Sequence, residues 1–321
     1  MLLFRRALRV EDPSPGILLL FGVGLIGRSV RSALAEEGGW IEERLPFSWE
    51  PGGRQREDAD GVGRRVAALL GGAGRPGDPA AVAVLWSAGS CGFGATTADA
   101  EVEAEGFRSV LGIAGGVAPC RISFHLVSSA GGLFEGRHRI EEGTPPLPCR
   151  PYGELKIRQE ALLRERGSAW DVTIYRASSV YGPVRPGARM GLLPTLIVNA
   201  LQGRSTAIVG AWSTLRDYVY AEDLGRYLAR RAGRPWAGEE ARTLVLASGR
   251  ATSIHGVHRI AEGVLGKRVP VHFLPQAWNA SDITVAPGVL PPDWRTRDLE
   301  SGARAVLRDW REGGAERADS G

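Results

Sequence analysis

The feature that most constrains the fold is a run of five apolar residues, ILLLF (17–21), followed at once by three spaced glycines and a helix-forming segment. Gly22, Gly24 and Gly27 form the pattern G-x-G-x-x-G ahead of the segment RSVRSALAEEGG. The first glycine permits a tight turn, the second lets the backbone approach a phosphate, and the third lets the helix pack against the strand. The N-terminus of that helix directs free N–H groups at an anion. The segment therefore predicts a strand–turn–helix unit that binds a dinucleotide.

Short apolar segments alternate with helical ones through the first 180 residues. Strands are predicted at 40–47, 80–86, 121–129 and 171–178, and helices at 62–70, from 98 for about 18 residues, and at 151–166. Residues 1–16 are expected to be a loose leader, and 50–63 a loop rich in glycine and charge. The alternation is typical of an α/β protein. It predicts a Rossmann-type, doubly wound parallel sheet with helices on both faces.

The alternation becomes less regular after residue 183. Helices near 190–202, 222–232 and 254–265 are mixed with the short strands TAIVG and RTLVLAS. We expect residues 1–182 to form a dinucleotide-binding domain, to which parts of 214–250 return. Residues 183–311 would form a smaller C-terminal substrate-binding lobe, and 312–321 a disordered tail.

Composition excludes several classes of protein. The formal net charge is +4, but 40 basic and 36 acidic residues are spread along the chain, which argues against nucleic acid as a partner. No apolar run approaches the roughly 20 residues that span a bilayer, so no membrane partner is expected. The three cysteines are too few and too scattered for a disulfide framework or a metal site. These features favour a reducing cytosol.

The segment PYGELK places Tyr152 and Lys156 four residues apart, on one face of a predicted helix. The chain has six tyrosines and only two lysines, so this spacing is expected by chance about 0.04 times. An ammonium beside a phenol favours loss of the phenolic proton, and a lysine can also bind the ribose of a nicotinamide nucleotide. The pair therefore indicates acid–base chemistry next to the dinucleotide.

Seven short motifs follow one another along the chain. They are FGVGLIG (21–27), WSAG (86–89), LVSSAGG (126–132), PYGELK (151–156), YRASSVYGP (175–183), GLLPTL (191–196) and TLRDYVYAEDL (214–224). In these motifs, across about residues 17–310, the chain resembles an extended short-chain dehydrogenase/reductase of the NAD-dependent epimerase/dehydratase family, which acts on nucleotide sugars. The resemblance implies a doubly wound sheet with a small substrate lobe.

The resemblance also implies roles for individual residues. The expected cofactor contacts are Gly22, Gly24, Leu25, Ile26, Gly27, Ser87, Ala88, Gly89, Ser128, Tyr152, Lys156, Ala177 and Ser179. The expected substrate contacts are Ser129, Ser179, Leu192 beside the nucleotide base, and Arg216, whose planar fork suits a pyrophosphate. Tyr152 would take the hydroxyl proton of the sugar, Lys156 would support its ionisation, and Ser129 would steady the developing keto oxygen.

Two departures from the family pattern matter. Ala130 stands where the family has a catalytic serine or threonine, and the adjacent Ser129 is expected to replace it. The acidic residue that binds the adenosine ribose of NAD about 20 positions after the glycine turn is missing. Glu42 and Glu43 come too early, and Arg28 or Arg44 could instead meet a 2′-phosphate. The expected cofactor is therefore NAD, with NADP left open.

The resemblance implies a nucleotide-sugar epimerase. It would invert C4 of a UDP-sugar through a transient 4-keto sugar and hydride transfer to bound NAD(P)⁺, unless it is a closely related dehydratase. An NADPH-dependent keto-sugar or carbonyl reductase is the alternative, and a non-catalytic dinucleotide-binding sensor is the third interpretation. The family also suggests a homodimer that packs helices near 99–117 and 151–166, although burial against the sheet would explain their apolar faces equally well.

Overall fold

The structure is a computed structural model that describes residues 1–6, 16–71, 80–117, 120–184, 190–234, 241–274 and 281–318. The chain forms two compact units. The first comprises Met1–Leu133, Pro148–Arg176 and Gly225–Leu244, and the second comprises Phe134–Leu147, Ala177–Leu224 and Val245–Gly321. The segment Phe134–Leu147, which the sequence assigns to the dinucleotide-binding domain, thus groups with the second unit. No helix among the described residues combines the length and apolar character that a membrane crossing requires.

The secondary structure alternates between strands and helices over most of the chain. The strands are β1 (Leu2–Arg6), β2 (Ile17–Phe21), β3 (Trp40–Arg44), β4 (Ala81–Trp86), β5 (Arg121–Ser129), β6 (Trp170–Ala177), β7 (Ser179–Tyr181), β8 (Thr206–Val209), β9 (Leu215–Arg216), β10 (Tyr218–Tyr220), β11 (Arg242–Leu246), β12 (Thr252–Ser253) and β13 (Val271–Leu274). The helices are α1 (Leu25–Glu37), α2 (Gly53–Leu70), α3 (Thr97–Gly116), α4 (Ala130–Leu133), α5 (Pro151–Arg164), α6 (Leu192–Leu201), α7 (Ala221–Ala232), α8 (Ile254–Leu265) and α9 (Leu299–Ala318).

The first unit is built on a seven-stranded sheet in the order β11-β6-β5-β4-β2-β1-β3. Strands β2, β4 and β5 are parallel neighbours. All five residues of β2 are buried, as are the last five of β4, because helices cover both faces of a parallel sheet. Burial on both faces explains why these strands are continuous apolar runs in the sequence. The predicted α/β class with a mostly parallel, doubly wound sheet is confirmed.

The N-terminal segment is a strand, so the prediction of a loose leader is wrong for Leu2–Arg6. β1 lies between β2 and β3 and is antiparallel to both, with Leu2 opposite Leu20 on one side and Arg44 on the other. Its first three residues are buried. Three apolar residues followed by arginines give little periodic signal, which explains the error. As a consequence β3 lies two strand spacings from β2, about 9–10 Å. Residues 7–15 of the expected leader lie outside the described residues.

Helix α2 begins at Gly53, so most of the loop expected at 50–63 is helical. Gln55, Val62 and Val66 form its buried face, at spacings that match the helical period. Gly61 and Gly63 weaken the helical signal in the sequence, and packing of the buried face overrides it. At the other end of the chain, α9 continues to Ala318, through residues 312–318 that the sequence assigns to the tail.

The second unit has its own apolar core. Helices α6, α8 and α9 supply most of it, including the fully buried Leu196, Ile197, Val257 and Val306. The short sheets β10-β7, β12-β9 and β13-β8 belong to this unit. Its core is separate from the cluster that fills the first unit around Leu19, Val84 and Phe124.

The buried position of β1 predicts the effect of shortening one of its side chains. Leu3 has no exposed surface, so Leu3→Ala is expected to lower the free energy of unfolding by about 2–5 kcal/mol, through lost burial and the cavity left behind. The exposed neighbour Arg5 supplies a matched control. Arg5→Ala should change the free energy of unfolding by less than about 0.5 kcal/mol. Urea titration of both variants measures the difference. Equal stabilities would mean that this segment does not belong to the sheet.

Candidate active site

The three glycines between β2 and α1 have different surroundings. A Cβ atom on Gly22 would lie 2.3 Å from the Cα of Ala88, and one on Gly27 would lie 1.9 Å from the carbonyl oxygen of Gly22. Gly22 also has a φ of +90°, which favours glycine. A Cβ on Gly24 would have no atom within 4 Å. Two glycines are therefore required by packing, whereas Gly24, the residue before α1, leaves open space in front of the helix N-terminus.

The end of β4 supports the turn from the side. The backbone N–H of Ser87 donates to the Phe21 carbonyl at 2.9 Å, and its hydroxyl donates to the Gly22 carbonyl at 2.7 Å. Parallel pairing of Phe21 with Trp86 brings these residues together. The predicted cofactor residues Ser87, Ala88 and Gly89 therefore lie against the glycine turn.

A cavity of about 280 Å³ lies beside the turn. Its walls are Gly22, Val23, Gly24, Trp49, Trp86, Ser87, Ala88, Gly89, Ser90, Val102, Glu103 and Gly106. The walls are largely apolar, as is common in cofactor pockets, and the open space at Gly24 admits a phosphate next to the backbone. The buried indole Nε1 of Trp86 has no hydrogen-bond partner among the described residues. These features fit a dinucleotide with an aromatic base and a pyrophosphate.

Tyr152 and Ser129 meet at Gly132. Tyr152 is the second residue of α5, and a Cβ on Gly132 would lie 2.8 Å from its Cε1 atom, so the ring rests against this glycine. The Gly132 N–H donates to the Ser129 hydroxyl at 3.0 Å. Ala130 is fully buried at the start of α4 and offers no hydroxyl. The hydroxyl that contacts the glycine beneath the Tyr152 ring is therefore that of Ser129.

Lys156 lies one turn along α5 from Tyr152, with its Nζ atom 5.6 Å from the centre of the Tyr152 ring. Nζ donates to Oε1 of Glu103 at 3.0 Å and to Oε1 of Gln159 at 3.0 Å. Burial acts to lower the pKa of Lys156, but the charge of Glu103 and its hydrogen bond raise it above the ordinary value. Burial acts to raise the pKa of Glu103, and Lys156 holds it below its ordinary value. The two groups form a buried ion pair.

Glu103 is a site residue that the sequence reasoning missed. A signal was available, because Ala100, Glu103, Ala104 and Phe107 follow the helical period and all are buried on α3. A carboxylate on such a face requires a partner of opposite charge. The helical period therefore marks Glu103 as a paired carboxylate, although it does not say which of the 40 basic residues is the partner.

Ser128 is held by a different group. Its hydroxyl donates to Oε1 of Glu160 at 2.7 Å. Glu160 is buried and also accepts from Arg176 at 2.7 Å and Arg164 at 3.0 Å. Burial acts to raise the pKa of Glu160, and the hydrogen bond and charge of Arg176 hold it below its ordinary value. The hydroxyl of Ser128 is therefore bound to Glu160. The contact with the cofactor that the sequence predicts for Ser128 would have to come from its other atoms.

The other predicted contacts belong to the second unit. Ala177 is buried at the end of β6, and Ser179 opens β7, where its N–H donates to the Asp217 carbonyl at 3.1 Å. Leu192 is the half-buried first residue of α6. Gly191 precedes it with a φ of +79°, which lets the chain enter the helix.

Arg216 is largely buried in β9, and burial lowers its pKa. Its Nη1 donates to the Leu215 carbonyl at 2.9 Å and to the Ser281 carbonyl. The two acids nearby in sequence hold other groups. Asp217 accepts from the Ser248 N–H at 2.6 Å, and Asp223 pairs with Arg297 at 2.8 Å.

Metal and thiol chemistry find little support. Over the described ranges, no group of three or more His, Cys, Asp or Glu side chains could hold a metal ion. None of the three cysteines forms a disulfide. Burial, with a smaller effect of Glu103, raises the pKa of Cys91 to about 12, so its thiol stays protonated at neutral pH.

Comparison with known proteins gives a family match. The model described as the NAD dependent epimerase/dehydratase family matches residues 63–247. A probable dTDP-glucose 4,6-dehydratase from Sinorhizobium fredii is 32% identical over 108 residues, which cover 32% of this chain and 30% of that protein. The UDP-glucose 4-epimerase of Mycolicibacterium smegmatis is 27% identical over 154 residues, covering 46% and 48%. The chain thus matches a third to a half of the length of these relatives.

The fold also matches solved structures. The UDP-glucose 4-epimerase of Thermus thermophilus, solved in complex with NAD, superposes with a TM-score of 0.70 at 21% identity. The match covers 92% of this chain and 98% of the epimerase. At this identity the likeness establishes the fold.

The different surroundings of the glycines predict opposite effects of two substitutions. Gly27→Ala should lower the free energy of unfolding by about 3 kcal/mol, because its Cβ would displace the Gly22 carbonyl. Gly24→Ala should change stability by no more than about 1 kcal/mol, yet weaken dinucleotide binding at least about tenfold, because the methyl group fills the open space.

Urea titration and calorimetric titration with NAD and NADPH separate the two effects. Unchanged dinucleotide affinity in Gly24→Ala would mean that the phosphates do not approach this glycine.

Proposed function

The chain belongs to the NAD dependent epimerase/dehydratase family, and we propose that it is an enzyme that uses NAD to convert a nucleotide sugar, by epimerisation at C4 or by the closely related dehydration. The observation that carries the proposal is the meeting of Tyr152 and Ser129 at Gly132, with the ammonium of Lys156 on the next turn of the helix. The family membership and the names of the matched relatives support the choice of substrate class.

Each of the three side chains has a part in proton transfer. Tyr152 takes the proton of the sugar hydroxyl, with the ammonium of Lys156 one helical turn away, 5.6 Å from the centre of its ring. The Ser129 oxygen accepts from Gly132, and its own O–H has no acceptor among the described residues. That O–H can donate to the sugar oxygen as it becomes a carbonyl. Ser129 thereby replaces the hydroxyl that Ala130 lacks.

The glycine turn and the end of β4 would hold the dinucleotide. Gly24 leaves room for the pyrophosphate at the N-terminus of α1, and Leu25 and Ile26 offer the first backbone N–H groups of that helix. When bound, the nicotinamide supplies a reversible acceptor of hydride. The N–H of Lys156 that neither Glu103 nor Gln159 accepts is available to the nicotinamide ribose.

A UDP-sugar is the proposed substrate, with its pyrophosphate bound by Arg216. The backbone carbonyls of Leu215 and Ser281 accept from one nitrogen of the Arg216 guanidinium and so fix the plane of this group. Leu192 would border the nucleotide base, and Ser179 would reach the sugar. A homodimer through residues 99–117 and 151–166 stays a prediction, as does the cytosol as its location. In the first of these segments Phe107, Val110 and Leu111 are already buried in the core, and sedimentation of a monomer would exclude the dimer.

A second candidate, an NADPH-dependent reductase, has one specific observation in its favour. The carboxylates on β3 are paired, Glu42 with Arg31 at 2.6 Å and Glu43 with Arg65 at 2.8 Å. In addition, β1 separates β3 from the strand that carries the glycine turn. No carboxylate is thereby assigned to the ribose hydroxyls that distinguish NAD from NADP.

The cofactor found in the purified protein separates these two candidates. The protein is denatured, and the released dinucleotide is identified by mass spectrometry. We expect stoichiometric NAD, because an epimerase recycles its cofactor in place. An empty site that then binds NADPH in preference to NAD would favour the reductase. Failure to bind either dinucleotide would contradict both.

Replacement of Tyr152 tests the proposed chemistry. With UDP-glucose or dTDP-glucose as substrate, Tyr152→Phe should lower kcat about 10²–10⁴-fold and leave KM nearly unchanged, because the ring stays and only the proton acceptor is lost. Tyr220→Phe, which loses only a 3.5 Å contact with Asp309, is the control. A variant that keeps its turnover would rule out Tyr152 as the base. A wild-type protein that binds the dinucleotide but converts neither sugar would favour the sensor.

A further inference from the structure

Glu103 is buried between the cofactor cavity and the proposed catalytic pair. Its side chain is 4% exposed. Oε1 accepts from Lys156 at 3.0 Å and from the amide of Gln159 at 3.3 Å, and Oε2 accepts from the Cys91 N–H at 3.2 Å. Both oxygens therefore face donors, as an ionised carboxylate requires.

The contacts of Lys156 leave one donor for another group. An ammonium has three N–H donors, and the acceptors at Glu103 and Gln159 take two of them. The third has no acceptor among the described residues, although the side chain is only 5% exposed. Because the two acceptors come from different helices, α3 and α5, they fix the position of the nitrogen beside the Tyr152 ring.

The same carboxylate lines the cavity next to the glycine turn. A Cβ on Gly89 would lie 2.9 Å from Oε2 of Glu103, and the φ of this residue is +154°. Glycine at this position thus lets the backbone after β4 lie close to the carboxylate. Glu103 therefore connects the wall of the cavity with the lysine.

We propose that Glu103 is a positioning residue for the reaction, which keeps the ammonium of Lys156 charged and oriented so that its remaining N–H serves the cofactor while the ammonium stays beside Tyr152. This inference rests on the proposed function for the role of the pair, whereas the control of Lys156 by Glu103 is a property of the protein alone. Glu103 acts through Lys156 and is not assigned a contact with the sugar.

Few other groups act on the pair electrostatically. Tyr152 faces Lys156 from α5, and the Cys91 thiol lies beside Glu103 but stays neutral at physiological pH. Asp99, on the first turn of α3, is exposed, and its carboxylate binds Thr96. Glu103 is thus the charge that offsets the burial of Lys156. Without it, burial would outweigh the smaller effects of Tyr152 and Cys91 and lower the pKa of Lys156.

The small number of lysines makes this measurable. Protein labelled with ¹³C at lysine Cε gives two side-chain signals, from Lys156 and Lys267. In Glu103→Gln the titration midpoint of Lys156 should fall by about one to three pH units, the effect of an opposite charge at this distance. The Lys267 signal should be the same in both proteins. Glu101→Gln, on the same helix but in an exposed pair with Arg158, should leave Lys156 unchanged.

The activity should follow the titration. The alkaline decline of kcat in Glu103→Gln should move to lower pH by a similar amount, with KM at pH 7 unchanged. A pair with a merely structural role would leave this limb of the pH profile where it is. An unshifted Lys156 midpoint or an unshifted limb would overturn the inference.

The unmodified protein provides a test that does not depend on a folded variant. At about pH 10.4, the ordinary lysine midpoint, its Lys156 signal should still be that of an ammonium. A neutral Lys156 at this pH would contradict the inference. Because the titrations need no substrate, they decide the role of Glu103 even if no nucleotide sugar is converted.

Discussion

The close approach of β2, α1 and β4 at the glycine turn is the constraint on which the first unit depends. Gly27 touches the carbonyl of Gly22, and Gly22 touches Ala88, at distances that exclude any side chain. Ser87 then closes the junction with a hydrogen bond to the Gly22 carbonyl. Because the strand ends and the helix N-terminus meet here, this junction places the free N–H groups beside the cavity that Glu103 also lines.

The acid–base pair depends on a second close contact, between α4 and α5. A Cβ on Gly153 would lie 2.2 Å from the Gly132 carbonyl, so neither glycine can carry a side chain. This contact brings the Tyr152 ring onto the segment that follows β5. The same Gly132 donates its N–H to the hydroxyl of Ser129, the group that we propose acts in place of Ala130.

Sequence reasoning succeeds where a residue type has one physical purpose. The alternation of strands and helices and the glycine spacing predict the fold class, and Tyr152 and Lys156 lie one turn apart on α5, as their spacing indicates. Sequence reasoning fails where the structure is decided by strand pairing or by packing between segments that are far apart in the chain. β1 needs partners at residues 17–20 and 40–44, and α2 is stabilised by a buried face despite its glycines. Glu103 gains its importance only when α3 packs beside α5, a contact between residues 53 positions apart.

The position of β1 also bears on how the sheet assembles. β3 has no hydrogen bonds to β2 and joins the sheet through β1. The antiparallel pair β1–β2 connects segments close in the chain, so its loop-closure entropy is small. The parallel pairs β2–β4 and β4–β5 close much longer loops. Assembly is therefore expected to start from the short-range ribbon of β1 and β2, to which β3 is added on one side and β4 on the other, so that the first residues of the chain guide strands translated much later.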